Sequence, residues 1–173
     1  MMDNKQFSFR RFIESDAETL YDECMKYSMS NIQPYFSAVG VGMKKDDFLA
    51  RFQQFSRKQY RPPVIANADD KPCGIYRITY SHANRYHELM LYFWAEKALV
   101  KPVLERIIDE AFSKSVTESS LLMEVPGYEP ELKEAAESLG LELVCRIPNY
   151  LCHDDELHHK YIYVTSSEKW HSM

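Results

Sequence analysis

Acid–base chemistry needs carboxylates held in place, and two glutamates of this 173-residue chain stand out by position. Glu88 opens the apolar run Glu88 to Trp94, and Glu124 lies inside a second run, Leu121 to Pro126. On facing strands, either carboxylate could accept a proton. A strand of period two puts Glu88, Met90, Tyr92 and Trp94 on one face. The plainer alternative for Glu88 is a solvated charge at a strand end. The residues after the first run suit another chemistry. Ala95-Glu96-Lys97-Ala98 reads as a short joint, and then Val100, Val103, Leu104, Ile107, Ile108, Ala111 and Phe112 recur at helical spacing. Pro102 fits the first turn of that helix, where a missing N–H costs nothing. A strand running straight into a helix leaves unpaired N–H groups and a positive dipole end, a usual place for phosphate or another anion. A buried strand with its packing helix explains the same pattern.

Other chemistry-bearing residues are less directed. His153, Asp154, Asp155, Glu156, His158 and His159 crowd one polar stretch, but their spacing fits no metal-binding helix or finger, so a charged loop without a metal is expected. His87 beside Glu88 could carry protons, and a surface histidine is the commoner outcome. Tyr35, Phe36 and Tyr60 could line an acceptor pocket or pack as core.

The elements that must position these residues follow from pattern. Phe7 to Phe12 alternates as a first strand, and Ser15 or Asp16 caps a helix running to Tyr27. The pattern breaks between Ser28 and Gly42, and a second helix covers about Lys45 to Gln59. Val64 to Ala66 and Cys73 to Tyr80 form a hairpin about the turn Asp69-Asp70-Lys71-Pro72. The central strand, the long helix and Leu121 to Pro126 come next, the helix making a right-handed crossover between parallel strands. Glu129 to Leu139 is a helix stopped by Gly140. Leu143 to Pro148 and Lys160 to Thr165 are the last strands, with Tyr150 to His159 as the loop between them. A mixed sheet with helices on both faces is the economical arrangement, in one domain over 1–173.

Composition narrows the classes of function. An apolar content of 45% and a charged content of 27% are those of a soluble globular protein. A net charge of −5 argues against nucleic-acid binding and mildly favours a cationic or neutral partner. Cys24, Cys73, Cys145 and Cys152 show no CxxC spacing and no secretory signal precedes them, so reduced thiols in a cytoplasmic protein are expected. No apolar run approaches the roughly 20 residues of a membrane span.

This order of elements resembles the GNAT acyltransferases, and three segments carry the resemblance. FRRFIESDAETLY is similar to the family's opening, an arginine-bearing strand followed by Asp-Ala and a helix. DDKPCGIYRI resembles its hairpin, in which a glycine begins the second strand. EVPGYEPELKEAAESLGLE resembles its fifth strand and following helix, ending in Leu-Gly. The branch most resembled acetylates N-terminal alanines of ribosomal proteins. The resemblance implies an α/β (α+β) fold with a mixed, mostly antiparallel sheet. It also implies an N-acetyltransferase that moves an acetyl group from acetyl-CoA to a primary amine by direct attack.

In such a fold the central strand and the Leu121 strand diverge at their ends, and acyl-CoA enters the gap. The resemblance puts the donor's amides on the backbone of Tyr92, Phe93 and Trp94, and its pyrophosphate at Lys97, Ala98, Leu99 and Lys101. Glu88 or Glu124 takes the amine's proton. The family's pyrophosphate loop is degenerate here, because Glu96 falls on its first glycine and Ala98 on its second. On the next helix Glu129 replaces the usual asparagine and Leu132 a serine, and Ala136 stands where many members carry the tyrosine that protonates the leaving thiolate. Tyr128 is the nearest phenol for that role. The acceptor is expected to be a small-molecule or peptide amine, and the resemblance allows a homodimer. The expectation from another class is a non-catalytic descendant that keeps the cleft for a ligand or protein.

Overall fold

A computed structural model describes residues 6–13, 15–27, 44–50, 63–81, 85–94, 96–113, 118–153 and 155–172. Tyr35, Phe36, Tyr60, the 28–42 break, Ala95 and Asp154 lie outside them. Seven strands pair in the order β1-β2-β3-β4-β5-β7-β6, and the chain divides into two compact units. Residues 1–77 and 91–94 form the first, and 78–90 and 95–173 the second.

In the first unit β1 (Phe7–Arg11) runs antiparallel to β2 (Val64–Ala68). β2 then pairs with the opening half of β3 (Lys71–Ser81). Asp69 and Asp70 join them with φ of 48° and 63°. Two successive left-handed residues give a turn whose twist matches that of the strands, and Asp tolerates that region better than most residues. Helix α1 (Asp16–Tyr27) starts where Asp16 can be held. Its buried carboxylate accepts two 2.7 Å bonds from Arg10 of β1 and one of 2.7 Å from the Ile13 N–H. The Arg-strand and Asp-Ala pattern seen in the sequence is thus a strand-to-helix clamp, with Asp16 as its acceptor. Ala17 and Leu20 point into the core with Ile65, Ile75 and Tyr76. Helix α2 begins at 45 and is described to 50, where buried Phe48 meets the Tyr21 ring edge-on.

In the second unit β4 (Tyr86–Phe93, of which 86–90 belong here) lies parallel to β5 (Ser120–Pro126). Helix α3 (Lys97–Ser113) forms the crossover and buries all seven residues picked out by periodicity, Val100 to Phe112. It starts at Lys97, within the stretch expected to be a joint. Helix α4 (Pro130–Ser138) ends at Gly140, whose φ of 72° is the left-handed stop expected of it. The strands β6 (Glu142–His153) and β7 (Glu156–Ser166) then form a long hairpin, with β7 antiparallel to β5 from Ser120↔Ser166 to Pro126↔Lys160. Ser166 caps a short α5 (Ser167–His171) by accepting the Lys169 N–H.

That hairpin corrects the expectation of a Tyr150–His159 loop. Leu151, Cys152 and His153 pair with His158, Leu157 and Glu156, and Asp155 takes a φ of 62°. The charged composition hid a strand whose side chains face solvent on both faces, as exposed Leu157 and Tyr150 show. Polarity there reflects exposure rather than irregular backbone.

Candidate active site

The parallel ladder runs from Tyr86↔Ser120 to Leu89↔Met123. Beyond that point β5 continues to Pro126 and turns into α4. The turn is pinned by backbone. The Gly127 N–H donates to the His159 carbonyl at 2.7 Å, and a Cβ on Gly127 would sit 2.7 Å from that same oxygen. Only glycine permits this approach. The Glu129 N–H donates to Pro126 O at 3.1 Å, and the Glu129 carbonyl receives the Lys133 N–H at 3.2 Å, so Glu129 is the N-cap of α4.

Glu129 does not cap with its side chain. Its Oε1 is sealed from solvent and, among the described residues, has no hydrogen-bond partner. Burial, with a smaller contribution from Glu131, raises its pKa to about 8, so at neutral pH the carboxyl is mostly protonated. Beside it the Tyr128 Oη is also sealed and lacks a partner among the described residues. Burial first, then Glu129, pushes that phenol well above its ordinary value, which keeps it a donor. The Tyr128 ring lies 4.2 Å from the His153 ring and 5.5 Å from that of His158. Both imidazoles come from the β6–β7 hairpin, so this cluster forms only because that stretch is strand.

The sequence-predicted carboxylates are each engaged. Glu124 makes a 2.6 Å ion pair with Lys160, and Lys160 also covers the Tyr150 ring at 4.7 Å. A carboxylate held this way must give up its cation before taking a proton. Half-buried Glu88 accepts a 3.2 Å bond from the Thr79 hydroxyl. His87 is buried rather than on the surface, 3.2 Å from the Ser119 hydroxyl and beside the Tyr80 and Phe112 rings.

At the start of α3, Glu96, Lys97, Ala98 and Lys101 are exposed. Lys97 reaches across to α4, 3.2 Å from Glu134 and 4.0 Å from Glu131, which sets the two helix N-termini side by side. With both partners largely exposed these pairs are worth about 0–1 kcal/mol each, little enough for an arriving phosphate to displace. The Leu99 N–H already donates to Glu96 O at 2.8 Å, so it is not a free anion donor.

In the first unit the Trp94 N–H donates to Cys73 O at 3.1 Å, and its indole N–H to Pro72 O at 2.9 Å. Strand alternation turns the Tyr92 backbone the same way and the Leu91 and Phe93 backbone away from β3. Of the expected set, Tyr92 and Trp94 thus turn their backbone toward β3 and Phe93 turns its backbone away. Gly74 of β3 is packed under the Phe93 ring, with the Tyr92 carbonyl 3.1 Å from where a Cβ would stand. That contact explains the glycine at the start of the hairpin's second strand. Leu132 and Ala136, the two departures on α4, are core residues.

Among solved structures the chain matches a spermidine N-acetyltransferase from Vibrio cholerae in complex with CoA and spermine, with a TM-score of 0.74 over 95% of this chain and 98% of that one. The two chains share one fold. A probable acetyltransferase gives a TM-score of 0.73 over 96% of each chain, and an N-acetyltransferase from Staphylococcus aureus gives 0.65 over 94% of this chain and 99% of that one. Identity is 12%, 13% and 13%, so the likeness is one of architecture. No protein-family model and no curated protein sequence matches the chain.

The N-acetyltransferase fold agrees with the mixed, mostly antiparallel sheet expected from the order of elements. Sequence reading placed Tyr128 in the site but took Glu129 only as a missing asparagine. The available signal was a glutamate at an N-cap, followed by Pro130, where its side chain is a poor cap and must go elsewhere.

Proposed function

We propose that the protein is an N-acetyltransferase that moves an acetyl group from acetyl-CoA to a primary amine by direct attack. The observation that carries this reading is the parallel β4–β5 ladder that runs to Leu89↔Met123, in a chain sharing its architecture almost end to end with a CoA-bound acetyltransferase. An extended acyl donor can pair with backbone amides at the edge of a strand. The Phe93 and Leu91 backbone would pair with the donor. Its phosphates would meet Ala98 and the Lys97 and Lys101 ammonium groups at the opening of α3. An N–H on the central strand would polarise the thioester carbonyl. The amine nitrogen forms the new C–N bond, the C–S bond breaks, and the departing thiolate takes up a proton. Tyr128, held protonated, is the phenol available to give it. The Vibrio cholerae protein bound spermine, which makes an aliphatic amine a reasonable first acceptor to try.

Calorimetric titration with acetyl-CoA tests the donor half, and absence of binding up to millimolar donor rejects it. An amine panel, scored by acceptor-dependent CoA release, tests the transfer. A second reading is a chain that binds ligand without catalysis. Buried Leu132 and Ala136, in place of a serine and a tyrosine, and the Lys160 grip on Glu124 favour it. Any acceptor-dependent release of CoA excludes it.

A further inference from the structure

Two neighbouring residues at the opening of α4 each hide a polar atom from solvent without giving it a partner. Buried polar atoms are nearly always hydrogen-bonded, because removing them from water costs far more than a mediocre bond returns. Glu129 Oε1 and Tyr128 Oη are exceptions on consecutive residues, held by a turn whose geometry Gly127 fixes against β7. The surroundings have a definite chemistry. They comprise a carboxyl, a phenol, and the rings of Tyr128, His153 and His158, whose centroids lie 4.2 to 5.9 Å apart. Glu131 adds negative charge from one turn into α4, while Lys97 of α3 is drawn to Glu131 and Glu134 rather than to Glu129. Lys133 is turned toward Glu137 and the Tyr161 ring.

An anion would be repelled here, and a neutral apolar guest would leave both polar atoms unsatisfied. A primary ammonium ion fits on each count. Its N–H groups are donors that a buried carboxylate or phenol oxygen can accept, and aromatic faces attract its charge. We infer that Glu129 and Tyr128 form the site for the acceptor's primary ammonium group, whose arrival drives off the Glu129 proton and leaves a carboxylate able to take one from the guest. This rests on the acetyl-transfer reading for its place in the reaction, but not for the binding itself. Both residues keep part of their surface exposed.

The proton balance is simple. An ammonium nitrogen must shed two protons to become an amide nitrogen. The first passes to the Glu129 carboxylate and then to solvent. The second leaves as the adduct collapses and ends on the thiolate.

The test uses butylammonium as the probe on the full chain, with the wild type, Glu129→Gln and Tyr128→Phe compared by calorimetry. Carboxyl carbon NMR follows Glu129 itself in the wild type. Butylammonium is expected to bind the wild type, to lower the pH at which Glu129 titrates, and to bind Glu129→Gln about tenfold more weakly or worse. Tyr128→Phe, which removes one oxygen only, is expected to weaken binding severalfold and keeps the test open if the glutamine variant does not fold. Equal affinity in all three proteins, or no binding to the wild type, overturns the inference. Acetyl-CoA titration separates the two ideas. Donor binding with no Glu129-dependent ammonium binding sinks this site alone, and the reverse result sinks the donor reading and leaves the site standing.

Discussion

Replacing Glu129 by glutamine should change how stability depends on pH, with a sign and size that follow from its burial. The carboxyl is ordinarily ionised above 4.5, whereas in the folded chain its pKa is raised to about 8. Between those values the native state holds a proton that the unfolded chain has released. Stability from this group is therefore complete below 4.5 and is lost as pH rises toward 8. Each pH unit in the window removes about 1.4 kcal/mol, so the whole window is worth on the order of 4 to 5 kcal/mol. Glutamine fills nearly the same volume and never ionises, so it lacks this slope. Urea unfolding of both proteins from about pH 5 to about pH 9 measures it, because stability tracks the midpoint when the slope with urea is unchanged. Every other ionisable group is common to both proteins, so their contributions largely cancel in the difference. The glutamine variant should gain on the wild type steadily up to about pH 8 and then run parallel. Parallel curves throughout would mean that the carboxyl is hydrated or paired, and the account of its burial would fail.

Three further substitutions probe what holds the site and its scaffold. Gly127→Ala must push its Cβ into the His159 carbonyl, a backbone group that cannot swing away, so a loss of about 1–3 kcal/mol in urea unfolding is expected. It should also reduce any ammonium binding at Tyr128 and Glu129. Gly74→Ala drives a methyl into the Phe93 ring, and a similar loss should come with altered near-ultraviolet dichroism from the Tyr92–Trp94 pair, whose rings are 5.9 Å apart. Arg10→Ala leaves the buried Asp16 carboxylate with the Ile13 N–H but without its two guanidinium bonds, which should cost about 2–4 kcal/mol. Asp16→Asn combined with Arg10→Ala should recover part of that loss, and full additivity would refute the clamp.

Much of the scaffold was legible because it follows from short-range rules. The seven apolar residues of α3, the left-handed stop at Gly140 and the Asp69-Asp70 reversal are each set by periodicity or by backbone sterics. Such features need no knowledge of distant chain. The outer part of the β6–β7 hairpin, read as a loop over Tyr150 to His159, was not legible, since a strand exposed on both faces carries no alternation to read. Its partner residues, such as Cys152 opposite Leu157, are a matter of register. The choice between the Tyr92, Phe93 and Trp94 backbones was equally hidden. It depends on which side of β4 the Cys73 carbonyl sits, a tertiary fact.

The site residues divide along the same line. Glu88 and Glu124 attracted attention because each is a charge inside an apolar run, yet that signal reports only a side chain pointing out of the core. Glu88 accepts from a threonine hydroxyl and Glu124 pairs with a lysine. Glu129 gave a fainter signal of another kind. At an N-cap the chain would accept Asn, Asp, Ser or Thr, and each would satisfy an orphan N–H that glutamate here leaves alone. The fold thus forgoes a cap and buries a carboxyl in the same position, two costs with no structural return among the described residues. Local rules are broken together where another demand prevails. A positively charged guest at Glu129 would supply the return that the folded chain by itself does not.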